Sequence, residues 1–153
     1  MSHATYFARM RTTRIPARAT WPLRQLVLRP GRPVEDCDFP HDTDASTIHL
    51  GAWSEDALVG IASVYAEACA QLPAAKPFRL RGMAVHPDRQ GQGVGALLVH
   101  EALEAVRAEG GDLLWCNART SASGFYSGLG FAVEGEAFEL PGIGPHHLMH
   151  RRP

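Results

Sequence analysis

The sequence holds no apolar run approaching the roughly 18 residues that a membrane-spanning helix needs. A helical membrane protein is thereby excluded. Cysteine is scarce: Cys37, Cys69 and Cys116 are odd in number and far apart, which excludes a disulfide framework and a Cys-x-x-Cys metal pair. Each is expected as a buried free thiol. Charge of one sign is also lacking. Fifteen basic residues face sixteen acidic ones, for a net charge of −1. A strong grip on nucleic acid is not expected from that balance, although Arg9, Arg11, Arg14 and Arg18 form a local basic run. The first residues carry scattered arginines without the apolar core of a signal peptide. The expectation is a cytoplasmic protein with neither a nucleic-acid nor a membrane partner. There are no repeats, linkers or low-complexity tracts. His146, His147 and His150 lie close together, but in a strand 146 and 150 share one face and 147 takes the other. No cysteine or carboxylate of metal-site spacing accompanies them, so no metal is expected.

What is present is a 153-residue chain with 45% hydrophobic and 20% charged residues, suited to one domain, 1–153, with a real core. Thr5 to Arg11 reads as a short strand. Ala19, Leu23, Leu26 and Val27 have helical spacing, and Pro22 predicts a helix starting near it, with Trp21 just outside. Residues 34–45 hold Cys37, Pro40 and four aspartates and read as a long loop, a place where function is often found. Thr47–Trp53 and Leu58–Ala66 read as a hairpin with an acidic, solvent-facing tip at Ser54-Glu55-Asp56. Phe78–Val85 is the next strand. The helix after it runs from about Gly93 to Glu109, with Val94, Leu98, Ala102 and Ala105 in one stripe and Leu97 and Val106 beside it. Gly110-Gly111 stops it. Leu113–Cys116 suits a strand buried on both faces. Ser121–Leu129 reads as a short helix with Ser121 as N-cap. Phe131–Phe138 and His146–Arg151 close the chain as two strands. The order predicts an α/β fold: a mixed, mostly antiparallel sheet with helices on both faces.

Between the strand 78–85 and its helix lies Gln90-Gly91-Gln92-Gly93-Val94-Gly95. A turn so poor in side chains lets backbone N–H groups point into one concavity, and the following helix adds its free N–H groups and positive dipole end. The combination suits a phosphate or pyrophosphate. A Walker loop would need Gly-Lys-Ser/Thr, which is missing. A dinucleotide loop would need a third glycine where Ala96 stands.

The pattern Gln-x-x-Gly-x-Gly resembles the acetyl-CoA loop of the GNAT superfamily of N-acetyltransferases. A second segment, Asn117 followed by Ala122-x-x-Phe125-Tyr126-x-x-Leu129-Gly130-Phe131, is similar to the helix-and-strand signature of the same superfamily, in the right order. The resemblance covers about residues 47–152; residues 1–46 match only in outline and would form a variable acceptor-side part. It implies a GNAT-like sheet whose central strand pair splays at a bulge. It implies acetyl-CoA as cofactor and direct transfer to a primary amine, of a small molecule or of a lysine or N-terminal amine, in a ternary complex. A homodimer is a common assembly of the family. Residue by residue, the Met83 N–H would polarise the acetyl carbonyl and the Val85 backbone would pair with the pantetheine amide. The amides of Gln90, Gly91, Gln92, Gly93, Val94, Gly95 and Ala96 would bind pyrophosphate, with Arg89 able to meet a phosphate. Asn117 would hold the pantetheine arm, and Tyr126 would protonate the leaving thiolate.

These residue types fit the chemistry. The oxyanion needs a donor, which a backbone N–H supplies, and a phenol is a reasonable acid for a thiolate. The general base is less well defined. Gly82 stands before Met83, where the family often has a carboxylate nearby. Glu67 and His147 are the candidates, with a water chain as the third route. Asp38, Asp42 and Asp44 would attract a cationic amine or lie solvated on the surface. An acyl-CoA-binding module without catalysis, and a nucleotide-binding enzyme, are the alternatives.

Overall fold

The structure is a computed structural model that describes residues 10–153. The elements are β1 (Met10–Arg14), a helical segment α1 (17–28), β2 (Ile48–Ser54), β3 (Ala57–Ala66), β4 (Pro77–Val85), α2 (Val94–Ala108), β5 (Leu113–Arg119), α3 (Ser123–Gly128), β6 (Ala132–Leu140) and β7 (Gly144–Arg151). The pairs β1–β2, β2–β3, β5–β7 and β6–β7 are antiparallel, and β4–β5 is parallel. This is the expected mixed, mostly antiparallel sheet. The order of elements is also the expected one. Of the strand expected at Thr5–Arg11, residues 5–9 lie outside the described residues. The chain divides into two compact units. One holds the described residues up to Tyr65 together with Gly82–Ala102, and the other holds Ala66–Arg81 and Leu103–Pro153.

In the first unit β1 runs along β2 from Met10↔Ser54 to Arg14↔Leu50, and β2 turns into β3 at the exposed pair Glu55-Asp56. β3 is buried without a break from Val59 to Tyr65, as a strand covered on both faces must be. Ile15, Leu23, Ile61 and Ala84 form the apolar centre, with Ala19, Val27, Leu28, Trp53 and Leu58 packed around them. Gly60 keeps the helix close: a Cβ there would stand 2.7 Å from Val94 Cγ1 and 3.0 Å from Leu98 Cδ1. α1 corrects the sequence expectation. It is helical from Ala17, as a 3-10 turn (Ala17–Thr20), one α-turn (Trp21–Leu23) and a π-turn (Arg24–Leu28). Trp21 is therefore inside it. The α-turn itself starts at Trp21 with Pro22 in its first turn, where the missing N–H would lack an intrahelical partner anyway, and the 3-10 turn precedes it. The preceding turn closes through Ala19 N–H to the Pro16 carbonyl (3.0 Å) and the Thr20 hydroxyl to the Ala17 carbonyl (2.6 Å).

In the second unit β5 pairs with β7 from Leu114↔Arg151 to Arg119↔His146, and β6 pairs with β7 on the other side. The parallel register of β4 and β5 covers Pro77–Arg79 against Leu113–Trp115. Leu72, Leu113, Trp115 and Leu148 make its apolar centre. Asp112 ties the segment before β4 in place, its carboxylate accepting the N–H groups of Ala75 (2.9 Å) and Lys76 (2.8 Å). Asn117 lies inside β5 rather than closing it, because β7 continues the ladder to Arg119. Ser121 is not an N-cap: it lies in a 3-10 turn, Thr120–Ala122, and α3 starts after Ala122 without a side-chain cap. Cys37 and Cys116 are buried thiols as expected, whereas Cys69 is only half-buried and donates to Gln71 Oε1. Along α2 the buried residues are Val94, Leu98, Val99, Ala102, Leu103 and Val106. Ala105 and Leu97 are half-buried, so the covered arc is wider than the expected stripe and rotated off it.

Candidate functional site

The glycine loop belongs to the first unit. β4 ends at Val85, a 3-10 turn follows over Pro87–Arg89, and α2 begins at Val94. Gly91 (φ 75°) and Gly93 (φ 88°) both adopt the left-handed conformation that glycine alone enters freely. Such residues turn successive N–H groups to one side. α2 brings fifteen residues of aligned peptide dipoles and no acidic side chain in its first turn. An anion therefore meets backbone donors and the positive helix end with no opposing carboxylate there. The loop is held by side chains: Gln90 Nε2 donates to the Val85 carbonyl (3.1 Å), and the Asp88 N–H donates to His86 Nδ1 (3.1 Å). The His86 N–H donates to the Val59 carbonyl (2.8 Å) and moors the end of β4. Arg89 is half-buried and Gln90 exposed. Gly82 departs from strand geometry with φ 66° directly before Met83, so the backbone of β4 is re-aimed at the residue expected to face the acetyl carbonyl.

Behind Gly82 lies a group that the sequence did not reveal. A Cβ on Gly82 would stand 3.4 Å from the Phe39 ring and 3.5 Å from Arg24 Nε. Arg24 is fully buried and stacks on Phe39, its guanidinium carbon 4.0 Å from the ring centroid. It donates to both carboxylate oxygens of Asp42 (2.5 and 3.1 Å), to the Cys37 carbonyl (2.8 Å), to Ser63 Oγ (3.0 Å) and to the Tyr65 hydroxyl (3.3 Å). The Tyr65 hydroxyl and the Phe39 N–H both donate to Asp42. His49 meets Ser63 Oγ through Nδ1 (2.7 Å) and the Asp42 carbonyl through Nε2 (2.8 Å). Burial alone would raise the Asp42 pKa. The bonds from Arg24, Tyr65 and the Phe39 N–H outweigh it, so the net shift is downward and the carboxylate stays ionised. Asp42 is thus neither a surface acid nor free to attract an amine; its charge is spent on Arg24. Asp38 and Asp44 are exposed, Asp44 beside His41 (2.8 Å).

Glu67, Asn117, Tyr126 and His147 belong to the second unit. Tyr126 is buried at 8% exposure and packs edge-on against Phe125 and Phe131. Burial first, and then the Cys116 thiol, push its phenol above the ordinary value of 10.0, so it keeps its proton through the neutral range. In the β5–β7 ladder Cys116 faces Met149 and Ala118 faces His147. Strand alternation puts Cys116, Ala118 and His147 on one face, the face on which Tyr126 stands by Cys116. His147 Nδ1 is buried and lacks a hydrogen-bond partner among the described residues. Asn117 and Trp115 point to the opposite face. There the Trp115 indole N–H donates to the Glu67 carbonyl (2.9 Å). The Glu67 carboxylate accepts from Arg79 Nη1 (3.1 Å), and Arg79 lies 5.0 Å from the centroid of the Trp115 ring. Glu67 and His147, the two expected base candidates, are therefore on different faces of β5. Among the described residues no cluster of histidine, cysteine and acidic side chains has the makings of a metal site.

The model of the Acetyltransferase (GNAT) domain matches residues 39–151, and the chain belongs to that family. It is an N-acetyltransferase that takes its acetyl group from acetyl-CoA. Among relatives, the Bacillus subtilis protein named Uncharacterized N-acetyltransferase YitI is 35% identical over 132 residues, which are 86% of this chain and 89% of that one. Among solved structures, Escherichia coli ElaA superposes with a TM-score of 0.67 at 22% identity, over 93% of this chain and 99% of its own. An aminoglycoside 6'-N-acetyltransferase complexed with coenzyme A gives a TM-score of 0.73 at 14% identity, over 93% and 96%. Those two likenesses concern the fold.

Proposed function

We propose that the chain binds acetyl-CoA through the backbone of Gln90–Ala96 and moves the acetyl group directly to a primary amine, of a small molecule or of a lysine or N-terminal amine, in a ternary complex. The observation that carries this reading is the pair of left-handed glycines, Gly91 and Gly93, leading into the acid-free first turn of α2. The residues fit the cofactor: backbone donors and a helix terminus for the diphosphate, with Arg89 as the nearby cation. Bound acetyl-CoA supplies an acetyl group already activated as a thioester. Met83, set by the kink at Gly82, would offer its N–H to the acetyl carbonyl, and the Val85 backbone would hold the pantetheine amide. Asn117 would steady the same arm. Tyr126 holds a proton that a departing thiolate can accept. Glu67, on the Trp115 face, and His147, on the Cys116 face, are the two base candidates: Arg79 holds the Glu67 carboxylate, and His147 Nδ1 has no hydrogen-bond partner among the described residues. The reading places the enzyme in the cytoplasm and allows a homodimer, an assembly that sedimentation tests.

The test is thiol release from acetyl-CoA across a panel of primary amines. Release that depends on the amine is expected. Tyr126→Phe is expected to lower turnover by about 10²-fold while changing acetyl-CoA affinity little, the usual reach of a general acid. Turnover equal to that of the unaltered enzyme would remove Tyr126 from this role.

A further inference from the structure

On the Trp115–Asn117 face of the second unit opens a pocket of about 490 Å³, a size suited to a small molecule. Its floor is apolar. Trp115 is 5% exposed, Leu148 is buried and Phe138 is half-buried. Its rim comes from an irregularity in β6. Glu134 pairs with Leu148 and Phe138 pairs with His146, so three residues of β6, 135–137, stand opposite the single residue His147. A bulge of this kind takes side chains out of simple alternation, and Gly135, with φ 74°, is its left-handed residue. The result places Glu134 and Glu136 together on the pocket lining.

The charges there are one-sided. None of the described lysines and arginines lines the pocket. Arg79, a described cation on that face, lies over the Trp115 ring and is paired with Glu67 (3.1 Å), and Arg119, which alternates onto the same face of β5, is exposed and outside the lining. His150 Nε2 approaches Glu134 at 3.6 Å, leaving Glu136 without a described cationic partner. An anionic acceptor would be repelled. A neutral apolar one would leave the carboxylates unused. An apolar stem with a positive end satisfies both floor and rim. The attacking amine arrives as an ammonium and must shed its proton before it meets the thioester, whereas a second cationic group keeps its charge and can stay on the rim through the transfer.

We infer that this pocket receives the acceptor, and that the acceptor is a small molecule of the diamine type: the amine to be acetylated, an apolar stem, and a second cationic group held by Glu134 and Glu136. The inference rests on the acetyltransferase reading, and Asn117 in the pocket wall links it to the cofactor arm. The experiment is calorimetric titration of the protein, saturated with coenzyme A, with 1,5-diaminopentane and with 1-aminopentane. The two differ by one ammonium group. The diamine is expected to bind about five- to tenfold more tightly, the reach of two partly solvated charge contacts. In the Glu134→Gln/Glu136→Gln double variant that ratio should fall to about twofold or less. Glu139→Gln, on the same strand and outside the pocket, should keep it. Equal affinity for both amines, binding of neither, or a ratio that survives the double substitution would overturn the inference. Failure of coenzyme A itself to bind would instead overturn the cofactor reading on which it rests.

Discussion

Arg24 and Asp42 place two full charges where water does not reach, with side chains at 0% and 1% exposure. Taking such ions out of water is costly, and the pair is tolerable because both Nη groups of Arg24 and both carboxylate oxygens of Asp42 have partners, Arg24 Nε being the one group of the pair without one among the described residues. Asp42→Ala would leave the guanidinium buried with neutral acceptors alone. A loss of about 3–5 kcal/mol is expected for removing one partner of a buried pair, read by urea unfolding. A loss below about 1 kcal/mol would show that water already reaches Arg24. None of this was legible beforehand. The side-chain partners of Arg24 lie 18, 39 and 41 residues away. An aspartate among three others between Val34 and Ala45 looks solvated whichever one is buried. The packing of Tyr126 is local by contrast, because Phe125 and Phe131, near it in sequence, are also its neighbours in space.

The β2–β3 hairpin, β4, the glycine loop and α2 were readable because their signals are local: alternation, a polar tip, glycines at a turn and a long apolar arc ended by Gly110-Gly111. The stop is visible in detail. Gly110 (φ 75°) and Gly111 return hydrogen bonds to the Arg107 and Val106 carbonyls (3.0 and 2.9 Å), the αL ending that glycine permits. α1 was misplaced because a proline marks a first turn without saying what precedes it. The bulge in β6 was hidden because that strand is exposed over Ala132–Ala137, and an exposed strand carries no alternation from which its register can be taken. The packing of β3 on α2 gives a test at this scale. Gly60→Ala drives a methyl into Val94 and Leu98, both at the limit of exclusion. A destabilisation of about 1–3 kcal/mol is expected from such overpacking, seen as a lower urea midpoint. A midpoint unchanged by the methyl would show that α2 is free to shift.

Across the whole molecule, the buried weak acids decide how stability depends on pH. Burial raises the Cys116 thiol from 9.0 to about 12 and the Tyr65 phenol from 10.0 to about 12. Burial also raises Cys37 and Tyr126. The unfolded chain releases these protons from about pH 9–10, while the folded chain keeps them. Above that range the folded state binds more protons than the unfolded one, so stability falls as pH rises. The contribution is whole below about pH 9 and is lost towards pH 12. Asp42 acts at the other end: its lowered pKa gives stability above 3.8 that disappears as pH falls further. Melting temperatures should therefore be level near neutrality and drop steeply from pH 9 to 12; a level profile through that range would mean that these groups titrate in water. Cofactor binding at the glycine loop is the claim on which the function depends, and one measurement tests it most directly: calorimetric titration of the protein with acetyl-CoA, repeated on Gly93→Ala and Gly93→Glu. The alanine variant carries the backbone cost of a side chain at φ 88°, and the glutamate variant adds a negative charge where phosphates would lie. One molecule of acetyl-CoA bound per chain, retained in part by the folded alanine variant and abolished in the folded glutamate variant, is the expected result. Acetyl-CoA affinity unchanged by Gly93→Glu would contradict the site.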